Sequence, residues 1–188
     1  MAHPDDLILL FIACHGSPDP YSPQNLYFLM NDTKVADMQN TALAMSEVRD
    51  ILDKQIRSDH IVAFVDSCHS AGLSGDGLVR TRQLENNLAN LCVSNLFKEK
   101  GRAVLTSSDV NEVSEESQRW GGGHGIFTLA LLEGLHGQAD LNRDGYVTAG
   151  ELFSYVSDRV RLETGFHQNP MALPGLNRDL TLSFVHAK

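Results

Sequence analysis

Two short apolar runs, each followed by residues that can carry out chemistry, constrain the fold of this chain more than any other feature. The first run spans residues 7–13 and leads into Cys14-His15-Gly16. The second spans residues 61–65 and leads into Asp66-Ser67-Cys68-His69-Ser70-Ala71-Gly72. Continuous apolar runs of this length predict strands that are buried on both faces, as in a parallel sheet. The ends of neighbouring parallel strands meet at one edge of the sheet, where ligands and reactive side chains are placed.

The rest of the chain alternates between helical and strand patterns. We predict helices at 41–54, 83–100, 126–136 and 148–162, and further strands at 25–30, 103–106 and 180–185. This alternation is typical of an α/β protein whose mostly parallel sheet is flanked by helices in three layers. A length of 188 residues with 42% hydrophobic content suits a single domain over 1–188 with its own core.

The composition disfavours several classes of function. A formal charge of −9 argues against nucleic acid as a partner. No apolar run has the length of a membrane span or the pattern of a signal peptide, so we expect no membrane partner. The three cysteines, at positions 14, 68 and 92, give no disulfide framework and indicate a reducing compartment. We therefore expect a cytoplasmic protein.

The residues at the two strand ends have the chemistry of a nucleophile and its base. A thiolate is a strong nucleophile, and a neighbouring imidazole can take the proton of the thiol. We predict Cys68 as the nucleophile and His15 as its base. The backbone N–H groups of Gly16 and Cys68 could then bind a developing oxyanion. His69 and His124 are alternative bases, whereas Cys14 and Cys92 are expected to be packing residues.

Asp66 lies two residues before Cys68, so in an extended chain the two side chains share a face. A buried carboxylate requires a partner, and a substrate Arg or Lys side chain could supply one. The alternative is that Asp66 only accepts hydrogen bonds from backbone N–H groups at the strand end. Ser107, after the strand at 103–106, is a further candidate for substrate binding. Trp120 is expected either to stack on substrate or to anchor its loop.

Residues 140–151 match the twelve-residue EF-hand calcium pattern at every defined position. The predicted ligands are side-chain oxygens, one backbone carbonyl and a bidentate carboxylate, from Asp140, Asn142, Asp144, Tyr146 and Glu151. The loop is either a calcium site or a structural turn of the same shape.

These strings resemble the caspase-like cysteine peptidases, most closely their metacaspase and bacterial orthocaspase branch. The likeness rests on Ala13-Cys14-His15-Gly16 and on 66–72, and extends to 105–108, 125–128 and 168–170. The resemblance implies a caspase-like sheet, a His15–Cys68 catalytic dyad, an oxyanion hole that includes Gly16, and a cleft bounded by the loop after Ser107. It also implies that Asp66 binds the basic side chain before the scissile bond.

The chain differs from the family at its start. Family members have a strand-helix-strand unit before the strand that leads to the histidine, and only fourteen residues precede His15 here. We therefore expect the strand at 7–13 to have an unpaired apolar edge that a partner or a further segment would cover.

We conclude from the sequence that the chain is a cysteine endopeptidase that cleaves after Arg or Lys. One alternative is a catalytically inactive caspase-like domain that acts in interactions or in calcium sensing. The other is a cysteine hydrolase with a non-peptide substrate, which would leave Asp66 without a role.

Overall fold

The computed structural model describes residues 2–19, 21–66, 102–108, 114, 117, 119–120, 122–123, 125–172 and 175–185. In these ranges the strands are β1 (Leu7–Ile12), β2 (His15–Pro18), β3 (Leu26–Leu29), β4 (Leu43–Ala44), β5 (His60–Val65), β6 (Arg102–Thr106), β7 (Tyr146–Thr148), β8 (Met171–Ala172) and β9 (Thr181–Phe184). The α-helices are α1 (Met38–Thr41), α2 (Met45–Lys54), α3 (Ile126–Glu133) and α4 (Ala149–Glu163). A 3₁₀ turn, Val35–Asp37, precedes α1, and a wider π-type turn, Gly134–Gln138, continues α3.

The main sheet of the described residues has the strand order β1-β5-β6-β8. Strands β1, β5 and β6 are parallel, and the two-residue strand β8 is antiparallel to β6. The register pairs Ile12 with Val65 and Val65 with Thr106, so three strands end at the same level. The predicted mostly parallel sheet is thus confirmed, and its three parallel strands end at one edge.

Helices cover both faces of this sheet. On one face, Ile61, Ala63 and Val65 of β5 pack in a cluster with Met45 and Leu52 of α2. On the other face, Val62 and Phe64 pack in a larger cluster that includes α3 and α4. The alternation of adjacent β5 residues between two apolar clusters explains why this run is apolar throughout. The predicted three-layer α/β arrangement is confirmed.

Strand β1 is less buried than its sequence suggested. Within the described residues it pairs with β5 alone, so it forms an edge of the sheet. Its side chains toward α2 are covered, but Leu9 is 44% and Phe11 is 52% exposed on the opposite face. The prediction of burial on both faces is therefore wrong for β1. The expected apolar edge is present in the part of the chain that the structure describes.

One predicted helix begins later than expected, one predicted strand pairs outside the main sheet, and one strand has no predicted counterpart. The helix predicted at 41–54 begins only at Met45, because residues 43–44 pair with β3 as strand β4. The strand predicted at 180–185 forms as β9, but it pairs with β7 in a two-stranded ribbon outside the main sheet. Strand β8 was not predicted. The helix predicted at 83–100 lies outside the described residues.

No helix in the described ranges combines the length and the apolar composition that a membrane crossing requires.

A buried carboxylate stabilises the β2–β3 hairpin, which carries His15 at its start. Asp19 is 2% exposed and accepts hydrogen bonds from Tyr21 N–H at 2.8 Å, Ser22 N–H at 3.1 Å and Gln39 Nε2 at 3.1 Å. The Tyr21 N–H, followed by the Gln39 amide, lowers the pKa of Asp19. These donors favour the charged form of the carboxyl group, which is why its pKa is lowered. The same hydrogen bonds hold the loop between the two strands in place.

We predict that Asp19→Asn destabilises the chain at neutral pH, because the amide loses the negative charge and, when its oxygen accepts from Tyr21 and Ser22, places its NH₂ group against the Gln39 donor. Since the folded pKa of Asp19 is lowered, its stabilisation is complete above the unfolded pKa, about 3.9, and is lost as the pH falls through the folded value. Urea unfolding at several pH values should show a gap between wild type and variant that is full near neutrality and closes in acid. Asp32→Asn, at an exposed position, is the matched control. A gap that is independent of pH would contradict the prediction.

Candidate active site

The sheet edge at the ends of β1, β5 and β6 is held together by hydrogen bonds that extend beyond the strands. Asp66 N–H donates to the Ile12 carbonyl at 2.8 Å, and Ser107 N–H donates to the Val65 carbonyl at 2.9 Å. The first residue after β5 and the first residue after β6 therefore have defined positions. These backbone hydrogen bonds alone fix the main chain of Asp66 and Ser107.

His15 and Asp66 line one cavity of about 430 Å³ at this edge. His15 begins β2 opposite Leu29 and is exposed, whereas Asp66 is only 2% exposed. Gly16 follows within the same strand and is half-buried. The remaining lining residues are Ala13, Cys14, Leu29, Met30 and Asn31. The structure therefore brings His15 and the buried residue Asp66 to one opening.

The predicted nucleophile Cys68 lies outside the described residues, as do His69, Cys92 and His124. Cys68 follows Asp66 by two residues in the sequence. Its place relative to His15, and the choice among the candidate bases, stay predictions.

The carboxylate of Asp66 contacts helix α3. Thr128 Oγ1, in the first turn of this helix, donates to Asp66 Oδ2 at 2.5 Å. The helix begins at Ile126 with Gly125 as its N-cap, and no side chain caps it. A carboxylate near a helix N-terminus is favoured by the partial positive charge there. Asp66 thus has partners beyond the backbone N–H groups of its own strand end.

Ser107 is the centre of a buried polar network. Its hydroxyl lies 2.5 Å from Ser114 Oγ, and its carbonyl accepts a hydrogen bond from Gln168 Nε2 at 2.8 Å. Ser107 is 1% exposed and Gln168 is fully buried. The side chain of Ser107 is therefore engaged within the protein, and its predicted role in substrate binding stays a prediction.

Trp120 is buried in the larger apolar cluster, and its indole N–H donates to Glu163 Oε2 of α4 at 3.4 Å. Of the two roles considered for this residue, the contacts support the loop anchor.

Cys14 has the properties of a packing residue. It packs against the apolar cluster beneath α2, and burial raises the pKa of its thiol to about 11. At neutral pH this thiol is protonated and is a poor nucleophile. Cys14 is therefore not a candidate for the nucleophile, although it is adjacent to His15 in the sequence.

The loop at 140–151 folds around its own side chains. Asp140 accepts hydrogen bonds from Asp144 N–H and Gly145 N–H, each at 3.1 Å. Asn142 Oδ1 accepts from Asp144 N–H at 2.9 Å, and Asp144 Oδ1 accepts from Tyr146 N–H at 2.9 Å. Gly145 has φ +87° at the sharp turn, a conformation that suits glycine.

The end of this loop is also the start of α4. Glu151 Oε2 accepts from Thr148 N–H and from the Thr148 hydroxyl, while Thr148 Oγ1 accepts from Glu151 N–H in a capping box. In the described ranges, no three His, Cys, Asp or Glu side chains are grouped closely enough to hold a metal ion. A calcium site here would therefore need Asn142 and the Tyr146 carbonyl in addition to its carboxylates.

Several residues at the site were not assigned roles from the sequence. Leu29, Met30 and Asn31 reach the cavity because β3 pairs with β2, and no local pattern predicts that pairing. Thr128 and Gln168 lie in strings that carried the family resemblance. Their hydrogen bonds to Asp66 and Ser107 span 62 and 61 residues, which sequence spacing cannot reveal.

The family model described as a caspase domain matches residues 1–181 of the chain. No curated protein matches the chain.

We predict that Cys14 reacts slowly with iodoacetamide in the folded protein at pH 7. A thiol with a pKa of about 11 is thiolate in only about one molecule in 10⁴ at that pH. Mass spectrometry of alkylated peptides should show labelling at Cys14 that rises steeply toward pH 10. The urea-unfolded chain is the control, in which the same thiol should react readily at pH 8. Rapid labelling of Cys14 in the folded chain at pH 7 would show that it is not buried as described.

Proposed function

The chain belongs to the caspase domain family, and on this premise we propose that it is an endopeptidase that cleaves after Arg or Lys with a His15–Cys68 dyad. Its domain is that of a cysteine peptidase, which acts on peptide or protein substrates. The observation that carries the finer proposal is the cavity that His15 and Asp66 share. It offers a base and a buried negative charge to one bound peptide.

In the proposed reaction, His15 takes the proton of the Cys68 thiol, and the thiolate sulfur attacks the scissile carbonyl carbon. The protonated imidazole then donates its proton to the leaving nitrogen as the C–N bond breaks, which leaves a thioester on Cys68. A water molecule attacks the thioester while His15 accepts its proton. As the C–S bond breaks, the imidazolium returns this proton to the departing sulfur, which restores the thiol and the neutral imidazole and releases the peptide acid, so in each half-reaction the imidazole acts first as base and then as acid.

Two groups are proposed to stabilise the charge that develops on the carbonyl oxygen. These are the backbone N–H groups of Gly16 and Cys68. Glycine directly after the base allows the substrate backbone to approach closely, because it has no side chain.

Asp66 is proposed to select the basic side chain. Asp66 is only 2% exposed, and a guanidinium or ammonium group that enters the cavity would pair with its carboxylate away from water. Ser107 is proposed to shape the same subsite from the next strand end. The backbone bond from Ser107 to Val65, directly before Asp66, supports this arrangement.

The test is hydrolysis of matched fluorogenic peptides that end in Arg, Lys or Asp by the purified chain. We expect cleavage of the Arg and Lys peptides, abolished by Cys68→Ala and lowered about 10²- to 10⁴-fold by His15→Ala. Asp66→Asn should lower kcat/KM for both basic peptides by about thirtyfold or more, because it leaves the cationic side chain without its buried partner.

Asp59→Asn is the matched control for Asp66→Asn, because Asp59 precedes β5 at its opposite end and is exposed. It should retain wild-type kinetics. Cleavage of the Asp peptide alone would keep the dyad and refute the role of Asp66. A folded chain that cleaves none of the peptides would refute the proposed activity.

The second candidate function is an inactive caspase-like domain that binds a partner. The exposed apolar side chains of Leu9 and Phe11 on edge strand β1 favour it, because natural sheet edges of this kind are usually covered. The peptide assay distinguishes the two candidates, since only the peptidase would show turnover that depends on Cys68.

We also propose that the loop at 140–151 binds calcium. Its donors are hard oxygens in the EF-hand order, from Asp140, Asn142, Asp144, the Tyr146 carbonyl and Glu151. The first three of these side chains already lie against the backbone of one turn, which supports the fit. A bound Ca²⁺ would hold the loop and the start of α4 in one conformation.

Calcium should raise the thermal unfolding midpoint of the wild-type chain, because a ligand that binds only the folded state stabilises it. Isothermal titration up to about 10 mM Ca²⁺ covers the range of weak EF-hand sites. Asp140→Asn should remove both effects, and Asp158→Asn, on α4, is the matched control. Asp140→Asn is preferred to a Glu151 variant because Glu151 also caps α4. A wild-type chain with no heat of binding and no shift in midpoint would refute the site.

A further inference from the structure

We propose that Thr128 is a positioning residue that fixes the carboxylate of Asp66 and thereby sets a preference for Arg over Lys. This inference rests on the proposed function, because it concerns the same cavity. The observation that carries it is the hydrogen bond of 2.5 Å from Thr128 Oγ1 to Asp66 Oδ2. It joins two elements that are remote in the sequence.

The donor is held rigidly. Ile126, Phe127 and Ala130 of α3 are fully buried, so the first turn of this helix cannot shift without disturbing the core. Threonine is branched at Cβ and has few rotamers in a helix. Its hydroxyl donates to Asp66. The hydroxyl is therefore a fixed point from which the carboxylate is oriented.

The acceptor gains a defined orientation from this bond. Asp66 is anchored through its backbone to Ile12 and through its carboxylate to Thr128. The backbone bond fixes the main chain of Asp66, and the bond to Thr128 restricts rotation of the carboxylate about the χ angles. The carboxylate plane thus has one preferred direction relative to the cavity that His15 and Asp66 line.

Orientation matters more for Arg than for Lys. A guanidinium is a planar fork of N–H donors that binds a carboxylate best when the two groups are coplanar. An ammonium is close to a point charge whose three donors rotate freely, so it tolerates a turned carboxylate. A fixed Asp66 is therefore expected to favour Arg, and a released Asp66 is expected to bind both side chains about equally.

The test compares kcat and KM for matched Arg and Lys peptides in wild type, Thr128→Val and Thr128→Ser. Valine keeps the shape and removes the hydroxyl. We expect it to lower kcat/KM for the Arg peptide about tenfold, mainly through KM, with a change of at most about twofold for the Lys peptide. Serine keeps the donor and should restore the Arg preference to within about twofold of wild type.

Thr181→Val, on strand β9 away from the cavity, is the matched control for the substitution itself. Thr128→Ala removes the same hydroxyl and provides the same readout if the valine variant does not fold. The rate of Cys68 alkylation should be equal in all folded variants, because the proposal leaves the dyad unchanged.

The two possible failures are distinguishable. Wild-type cleavage of basic peptides with an Arg-to-Lys ratio that Thr128→Val leaves unchanged would overturn this inference and leave the proposed function in place. An equal fall for both peptides in the valine and serine variants would show a purely structural role and would also overturn it. A wild-type chain that cleaves neither basic peptide would refute the proposed function, and this inference with it.

Discussion

The ladder of hydrogen bonds between β1, β5 and β6 continues past the ends of the strands, from Asp66 N–H to the Ile12 carbonyl and from Ser107 N–H to the Val65 carbonyl. The hydrogen bonds can continue because the three strands are parallel and their last residues pair with one another, so all three end at one edge of the sheet. Asp66 and Ser107, the side chains proposed to bind substrate, directly follow β5 and β6 at this edge. His15 reaches the same place from β2, which follows β1 after a short turn. The sheet therefore positions the candidate site through its backbone.

Asp66 and Ser107 at this edge are buried, and both are hydrogen-bonded by residues from distant parts of the chain. A buried donor or acceptor without a partner costs about 1–3 kcal/mol. Thr128 of α3 supplies a donor to Asp66, and Gln168, beyond the end of α4, supplies one to Ser107. Helix α3 and the segment after α4 thus also stabilise this edge of the sheet. A change in the packing of α3 would reach Asp66 directly, through a single hydrogen bond.

The strands of the main sheet were predictable because burial on both faces requires a continuous apolar run, which is a local property. The prediction was wrong for β1 in one respect, since Leu9 and Phe11 are exposed although the run is apolar throughout. Apolar composition shows that a strand prefers burial, but the neighbours that bury it are set by topology. The same limit applies to β9, whose pattern predicted a strand and whose partner is β7. It applies also to β4, where pairing with β3 replaced the predicted first turn of α2.

The sequence by itself determined the class of fold, the strand ends that carry His15 and Asp66, and the oxygen-rich loop at 140–151, because each depends on residues that are adjacent in the chain. Only the tertiary structure decided that His15 and Asp66 share a cavity, that the β2–β3 hairpin lines it, and that Thr128 contacts the carboxylate. These relations join residues that are far apart in the chain. They arise from strand pairing and helix packing, whose geometry depends on the whole core and is not encoded in any short run of residues.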